Sequence, residues 1–216
     1  CLAKAGFTVV VYDSRPEQSA KFAAEVGGET AASLAELGRA CSIVVTMLPT
    51  SKIVSDVLLG EDGVAAGMAK GGLVIDMTSG VPDVTISLEP ALNERGIAII
   101  DAPVSGGVAR ARTGELAIMA GGTEADIERA RPVLEAMGKV QRAGTLGCGQ
   151  AMKALNNLVS AGGFLIGIEA MLVGKKFGLD PEVMVDILNA STGMNNSTQK
   201  KFKQFVLSGA FNSGFA

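Results

Sequence analysis

The sequence predicts an α/β protein: a doubly wound, mostly parallel sheet, followed by an all-helical domain joined to it through a long helix. Two patterns carry this expectation. Short β-branched and apolar runs alternate with helix-compatible stretches through the first two-thirds of the 216 residues, the order that builds βαβ units. From Gln150 the texture changes to one long helical stretch reaching about Phe177, and the residues beyond it also read as helical.

Taken in order, residues 8–12, 42–48, 73–76, 98–101 and 115–120 read as strands, and 16–26, 33–38, 51–59 and 82–95 as helices. Several of the strands are apolar almost throughout, as strands covered on both faces are. Pro90 and Pro132 fall inside helical patterns, so a kink or break is expected at each. Gly178-Leu-Asp-Pro181 combines a helix stop, an N-cap residue and a proline suited to a first helical turn. The resulting division is a Rossmann-like dinucleotide-binding domain over 1–147 and a connecting helix with the start of a helical domain over 148–216. Cys1 to Gly6 reads as the end of a helix with Gly6 as its stop. The first strand and its glycine-rich loop are therefore expected to precede Cys1, and the helical domain is expected to be incomplete.

At 48% hydrophobic and 19% charged residues the chain can bury a substantial core. A net charge of −3 and a pI near 5.1 argue against a general nucleic-acid binder. Lys200, Lys201 and Lys203 read as the solvated face of a late helix. Cys1, Cys41 and Cys148 are widely spaced and include no Cys-x-x-Cys, so neither a disulfide framework nor a metal site is expected. A reducing, cytoplasmic compartment fits. The richest apolar run, 155–173, is interrupted by Asn156, Asn157, Ser160 and Glu169, which argues against a membrane span. The chain has no histidine, so proton transfer near neutral pH falls to a lysine of tuned pKa.

Several short motifs have the chemistry of a site. Asp13, ending the first strand pattern, is placed either to accept the ribose hydroxyls of a dinucleotide or, with Ser14, to cap the next helix. Met47-Leu48-Pro49 and the segment from Asp76 to Ser79 lie at carboxyl ends of strands, where dinucleotides bind open α/β sheets, although an ordinary turn or cap reads the same way. Ser105-Gly106-Gly107 offers unhindered backbone N–H groups to a carboxylate, or is a tight turn that needs glycine. Lys153 and Asn157, four residues apart on a helix, share a face with about 6 Å between Cβ atoms. An ammonium there could exchange a proton with a substrate oxygen while the amide positions that oxygen or orients the lysine, although a surface lysine beside a helix-facing asparagine reads the same way. Cys148, close to Lys153, reads as a small buried filler, the competing reading being a thiol reactive toward thiol reagents.

Together, Val11-Tyr-Asp13, Met47-Leu-Pro49, Asp76-Met-Thr-Ser79, Asp101-Ala-Pro-Val-Ser-Gly-Gly107 and Gly149-Gln-Ala-Met-Lys153-Ala-Leu-Asn-Asn157 resemble the β-hydroxyacid dehydrogenases. This is the family of 3-hydroxyisobutyrate dehydrogenase and tartronate semialdehyde reductase. The resemblance implies hydride transfer between a nicotinamide and a short 3-hydroxy acid or its semialdehyde, with Lys153 as general acid/base and Asn157 as its partner. It further implies that Ser105, Gly106 and Gly107 cradle the substrate carboxylate, while Asp13, Ser14, Arg15, Met47, Leu48, Pro49 and Ser79 line the cofactor. Asp13 favours NAD over NADP, since a carboxylate repels a 2′-phosphate, although Arg15 partly compensates. Asn156 stands where decarboxylating 6-phosphogluconate dehydrogenases carry histidine, and Lys153 stands where imine reductases usually replace lysine. The same resemblance implies a homodimer or homotetramer. The competing readings are a non-catalytic module that keeps the fold for binding or oligomerisation, and an NADP-dependent semialdehyde reductase.

Overall fold

The structure is a computed structural model and describes residues 1–213. Two compact units divide the chain, Cys1–Ala154 and Leu155–Ala216.

The first unit opens with a 3-10 turn, Ala3–Ala5, stopped by Gly6 at φ +89°. Strands β1 (Val10–Val11) and β2 (Glu29–Thr30) form a separate parallel pair, linked by α1 (Pro16–Val26). Of residues 8–12, only Val10 and Val11 find ladder partners, so the expected strand is shortened to two residues. The main sheet begins with β3 (Ile43–Thr46), β4 (Leu73–Asp76) and β5 (Ala98–Asp101), all parallel, with Thr46, Asp76 and Asp101 opposite one another at the carboxyl ends. It continues through β6 (Val104–Ser105), β7 (Leu116–Gly121) and β8 (Gly138–Gly144). Strand β7 is antiparallel to β5 and β6 and parallel to β8.

Asp101 opposes Gly121, Val104 opposes Ile118 and Ser105 opposes Ala117, all in one register. Strands β5 and β6 are therefore one line of chain interrupted at Ala102 and Pro103. Proline has no N–H to donate, but its carbonyl still accepts from Met119 N–H at 3.0 Å.

Both faces of this sheet are covered. On one, Leu73, Ile75, Ile100, Leu116 and Ile118 pack with Ile127, Ala130, Val133 and Leu134 of α7 (Glu124–Glu135). On the other, Val44, Val74 and Ile99 meet Val54 and Leu58 of α3 (Ser51–Leu59) and Leu88 and Leu92 of α5 (Pro82–Glu94). Adjacent strand residues thus serve opposite layers, which is why these strands are apolar without alternation. Each fully buried Leu or Ile contributes about 1.5–3 kcal/mol. Helices α2 (Leu34–Ala40) and α4 (Val64–Gly67) approach backbone to backbone: a Cβ on Gly38 would strike Val64 O, and one on Gly67 would strike Ala35 O. The helix expected over 33–38 starts one residue later because Ser33 Oγ caps it, accepting from Glu36 N–H at 3.1 Å.

Neither proline breaks its helix. Pro90 lies within α5 and Pro132 within α7. Both prolines are exposed, as are Ile86 and Glu128 four residues earlier, so the carbonyls left without an intrahelical donor can take water. Buried Leu88 and Leu92 in α5, and Val133 and Leu134 in α7, hold the chain on either side. Strands β2, β6 and β8, and helices α4 and α6 (Gly107–Thr113), were not anticipated from the sequence.

Helix α8 (Cys148–Phe177) is 30 residues long, roughly 45 Å at 1.5 Å per residue. By length and composition it is apolar enough to cross a membrane, with a mean hydropathy of 1.5 in its richest window. Its first turn, however, is hydrogen-bonded to the end of strand β5 through Asp101.

In the second unit, Met171 and the flanking Phe164 and Ile168 of α8 form a small core with Val185 of α9 (Pro181–Asn189) and with Phe202. Phe202 lies in a final π-type turn, Phe202–Leu207, reached through α10 (Asn196–Lys200). The rings of Phe164 and Phe202 meet edge to face at 5.6 Å. Gly178 stops α8 at φ +102°, and Asp180 Oδ1 caps α9 by accepting from Glu182 N–H (2.8 Å) and Val183 N–H (3.1 Å). Lys203 is not simply solvated: its Nζ pairs with Glu182 at 3.4 Å and with Asp186 at 2.5 Å.

Candidate active site

Three strand ends meet the first turn of α8 in a buried polar junction. Asp76 and Asp101 close β4 and β5 with no exposed surface, and Gln150 is 1% exposed. Asp101 caps α8 with both oxygens: Oδ1 accepts from Gly147 N–H at 2.8 Å and Oδ2 from Gln150 N–H at 2.7 Å. The Gln150 side chain then donates from Nε2 to Asp76 Oδ2 and accepts from the Thr85 hydroxyl at Oε1, each at 3.1 Å. Asp76 Oδ1 also accepts from the Thr46 hydroxyl (2.8 Å) and from Thr78 N–H (3.1 Å). Every oxygen of the two carboxylates therefore has a donor, the condition under which buried charge is tolerated.

Burial is the main influence on both acids and raises their pKa values, against the pull of these donors; for Asp101, proximity to Asp76 adds to the rise. Small residues make the junction possible. A Cβ on Gly149 would strike Met119 O, one on Gly121 would strike Asp101 Oδ1, and one on Gly80 would strike Ser51 Oγ. Gln150 was not among the candidates the sequence singled out. The available signal was a glutamine between Gly149 and Ala151 at a helix start, together with two apolar strands that each end in aspartate.

Lys153 lies one turn beyond Gln150 on α8 and is half-buried. Desolvation holds its ammonium below the ordinary lysine pKa. Asn157, in the second unit, accepts at Oδ1 from Asn156 Nδ2 at 3.4 Å. Cys148 is half-buried, its Sγ 3.6 Å from Thr145 Oγ1.

The other sequence-derived candidates fall into three groups. Met47, Leu48 and Pro49 follow β3, and Ser79 follows β4. These two loops are tied by Leu48 N–H donating to Thr78 Oγ1 (3.0 Å) and by Val81 N–H donating to Ser51 Oγ (2.7 Å). Met47, Pro49 and Ser79 are exposed at this edge.

Asp13 stands apart from them, beyond β1. Its Oδ1 accepts from Arg15 N–H at 2.9 Å and lies 3.6 Å from Arg15 Nε, while its own N–H donates to Ser19 Oγ. Arg15, not Asp13 or Ser14, occupies the N-cap position of α1, and it makes no side-chain cap bond. Asp13 and Tyr12 line a cavity of about 420 Å³ together with Gln18, Ser19 and Phe22 of α1.

Ser105 is not in a loop: it is the last residue of β6, about four residues along the chain line from Asp101. Gly106 (φ +138°) and Gly107 (φ +64°) turn the chain into α6, so both need the conformational freedom of glycine. Among the described residues, no group of three or more His, Cys, Asp or Glu side chains is placed to hold a metal ion.

Known proteins match the chain along its length. The family description "NAD binding domain of 6-phosphogluconate dehydrogenase" matches residues 1–150, and "NAD-binding of NADP-dependent 3-hydroxyisobutyrate dehydrogenase" matches 147–216. Fold and matches together define a protein of the NAD(P)-binding dehydrogenase class. The chain belongs to the β-hydroxyacid dehydrogenase family. It is 36% identical to 2-(hydroxymethyl)glutarate dehydrogenase of Eubacterium barkeri, over all of this chain and 71% of that protein. It is 38% identical to mitochondrial 3-hydroxyisobutyrate dehydrogenase of Mus musculus, over 89% of this chain and 57% of that protein. The solved structure of Mycobacterium tuberculosis 3-hydroxyisobutyrate dehydrogenase with L-serine superposes with a TM-score of 0.84 at 34% identity, covering 93% of this chain and 67% of that one. The chain thus spans between just over half and about seven-tenths of these relatives' lengths.

Proposed function

We propose that this chain belongs to an NAD-dependent oxidoreductase that interconverts a short 3-hydroxy acid, of the 3-hydroxyisobutyrate kind, and its semialdehyde. The carrying observation is Lys153: a half-buried lysine with a depressed pKa, one turn past a buried junction at the carboxyl end of the sheet. Bound nicotinamide supplies the hydride acceptor or donor. Lys153 Nζ takes the hydroxyl proton during oxidation and returns it to the carbonyl oxygen during reduction. Asn157 holds that oxygen or orients the lysine. The backbone N–H groups around Ser105, Gly106 and Gly107 receive the substrate carboxylate.

Asp13 accepts the adenosine ribose hydroxyls, with Ser14 and Arg15 beside it, while Met47, Leu48, Pro49 and Ser79 flank the dinucleotide at the sheet edge. The fit of this cofactor rests on Asp13, whose Oδ1 is committed to Arg15 while its cavity lies open beside it. NAD is favoured because a carboxylate here repels a 2′-phosphate. Arg15 beside Asp13 is the observation that favours NADP as the second reading. A homodimer or homotetramer in the cytoplasm completes the proposal. It is supported by the exposed Leu158, Val159, Leu165 and Ile166 of α8 and by three unpaired cysteines.

The test is Lys153→Ala in the full-length protein, with NAD and a panel of short hydroxy acids. Hydride transfer should fall by about 10²–10⁴-fold with little change in NAD affinity. An unimpaired rate would sink the assignment, and no turnover by the unsubstituted protein across the panel would favour a non-catalytic role.

A further inference from the structure

We infer that Gln150, held between Thr85 and Asp76, is a positioning residue that sets the rotation of α8 and hence the direction in which Lys153 points. The inference rests on the reading of Lys153 as the acid/base. Apolar packing alone fixes a helix's rotation loosely, because neighbouring apolar side chains can exchange places at small cost. Here the constraint is polar and buried. Turning α8 by one residue, 100° about its axis, would break the Gln150 bonds to Asp76 and Thr85 and the Asp101 bonds to Gly147 and Gln150 at once.

The distance of the helix from the sheet is fixed as tightly. Gly149 and Gly121 bring the α8 backbone against β7 and Asp101 with no room for a methyl group. Gln150 precedes Lys153 by three residues, so the two side chains are neighbours on the helix surface. The amide has no substrate-like partner of its own, since both its ends are already bonded inside the protein.

The experiment is a cycle of four full-length proteins loaded with NAD: unsubstituted, Gln150→Met, Lys153→Ala, and both together. Gln150→Met keeps the volume and removes the two side-chain bonds. The expected result is a fall in kcat of at least about 10-fold, with NAD affinity and the KM for the hydroxy acid within about 2-fold. In the Lys153→Ala background the same substitution should change the residual rate by less than about 2-fold, because nothing remains to be aimed. An equal fractional loss in both backgrounds would overturn the inference in favour of a general structural role, and so would no loss in either.

A rate unaffected by Lys153→Ala overturns instead the reading on which this one rests, so the two failures are separable. If Gln150→Met does not fold, Thr85→Val serves, since it removes one hydroxyl of the junction. A kcat loss confined to the lysine-containing background supports the inference, and no loss refutes it.

Discussion

Asp76 and Asp101 are both buried and fully bonded, yet replacement by asparagine should affect them oppositely. Asp101 receives two backbone N–H groups, one on each oxygen, and neither donor can rotate. In Asp101→Asn one of them must face the new amide N–H₂. One hydrogen bond to a charged group, worth about 1.5–3 kcal/mol, is lost and a buried donor is left without an acceptor. Relief of the buried charge offsets part of this. The expected net loss is about 2–3 kcal/mol, a factor of about 30–150 in the unfolding equilibrium.

In Asp76→Asn the oxygen retained at Oδ1 keeps Thr46 and Thr78. Gln150 can turn its amide so that Oε1 accepts from Asn and Nε2 donates to Thr85, conserving every bond. Stability should then change by less than about 1 kcal/mol at neutral pH, in the stabilising direction, because a buried charge is gone. The pH dependence supplies a second check. A carboxyl whose folded pKa is raised is most favourable to folding below its unfolded value near 3.9, and that contribution is lost as pH rises through the folded value. The advantage of Asp76→Asn should therefore be absent near pH 3.5 and grow as pH rises. Urea unfolding midpoints of the three proteins at pH 7 and at mildly acidic pH measure all of this. Equal losses in the two variants would refute this geometry, and so would a larger loss in Asp76→Asn.

Three further outcomes are expected. Since Lys153 has a lowered pKa and must be unprotonated to act as base, the oxidation rate should rise with pH to a midpoint below the ordinary lysine value near 10.4, while reduction falls over the same range; a pH–rate profile checks this, and Lys153→Arg should abolish the limb. Asp13→Asn should lower the preference for NAD over NADP, read as the ratio of kcat/KM values, by about 10-fold or about 1.4 kcal/mol, because the carboxylate that repels a 2′-phosphate is removed beside Arg15. Gly167→Ala should cost about 1–3 kcal/mol in thermal or urea unfolding, because the added methyl meets the fully buried ring of Phe202.

Strong local signals in the sequence carry the bounds the structure has. Pro16 and Pro82 open helices α1 and α5, and the apolar runs Leu73–Asp76 and Ala98–Asp101 are strands of those lengths. What escaped was stabilised by partners distant in sequence. Glu29–Thr30 and the polar β8 have no strand pattern of their own and exist because Val10–Val11 and β7 present ladders to them. The prolines expected to kink or break helices sit on exposed faces and the helices run on through them, a fact of tertiary placement that a one-dimensional pattern does not contain. At the site, Lys153 stands out as a charged residue in the second turn of a long apolar helix, and Asp13 as one just past a strand. Gln150 does not, because a lone glutamine acquires meaning only when Asp76 and Thr85, 74 and 65 residues earlier, are brought to it.

The interruption at Ala102 and Pro103 has a consequence for how the first unit opens. The parallel ladder of β3, β4 and β5 and the ladder of β6, β7 and β8 are joined by the residue pair Asp101 and Gly121, by the neighbouring Pro103 carbonyl that accepts from Met119 N–H, and by the chain itself. Cooperative opening follows hydrogen-bonded continuity, so the two ladders should behave as separate exchange units. Amides of Val74 and Ile99 should exchange with deuterium as one set, and those of Ile118 and Val140 as another. Removing the Asp101 carboxylate, which ties the end of β5 to the first turn of α8, should loosen that joint and separate the opening of the two sets further.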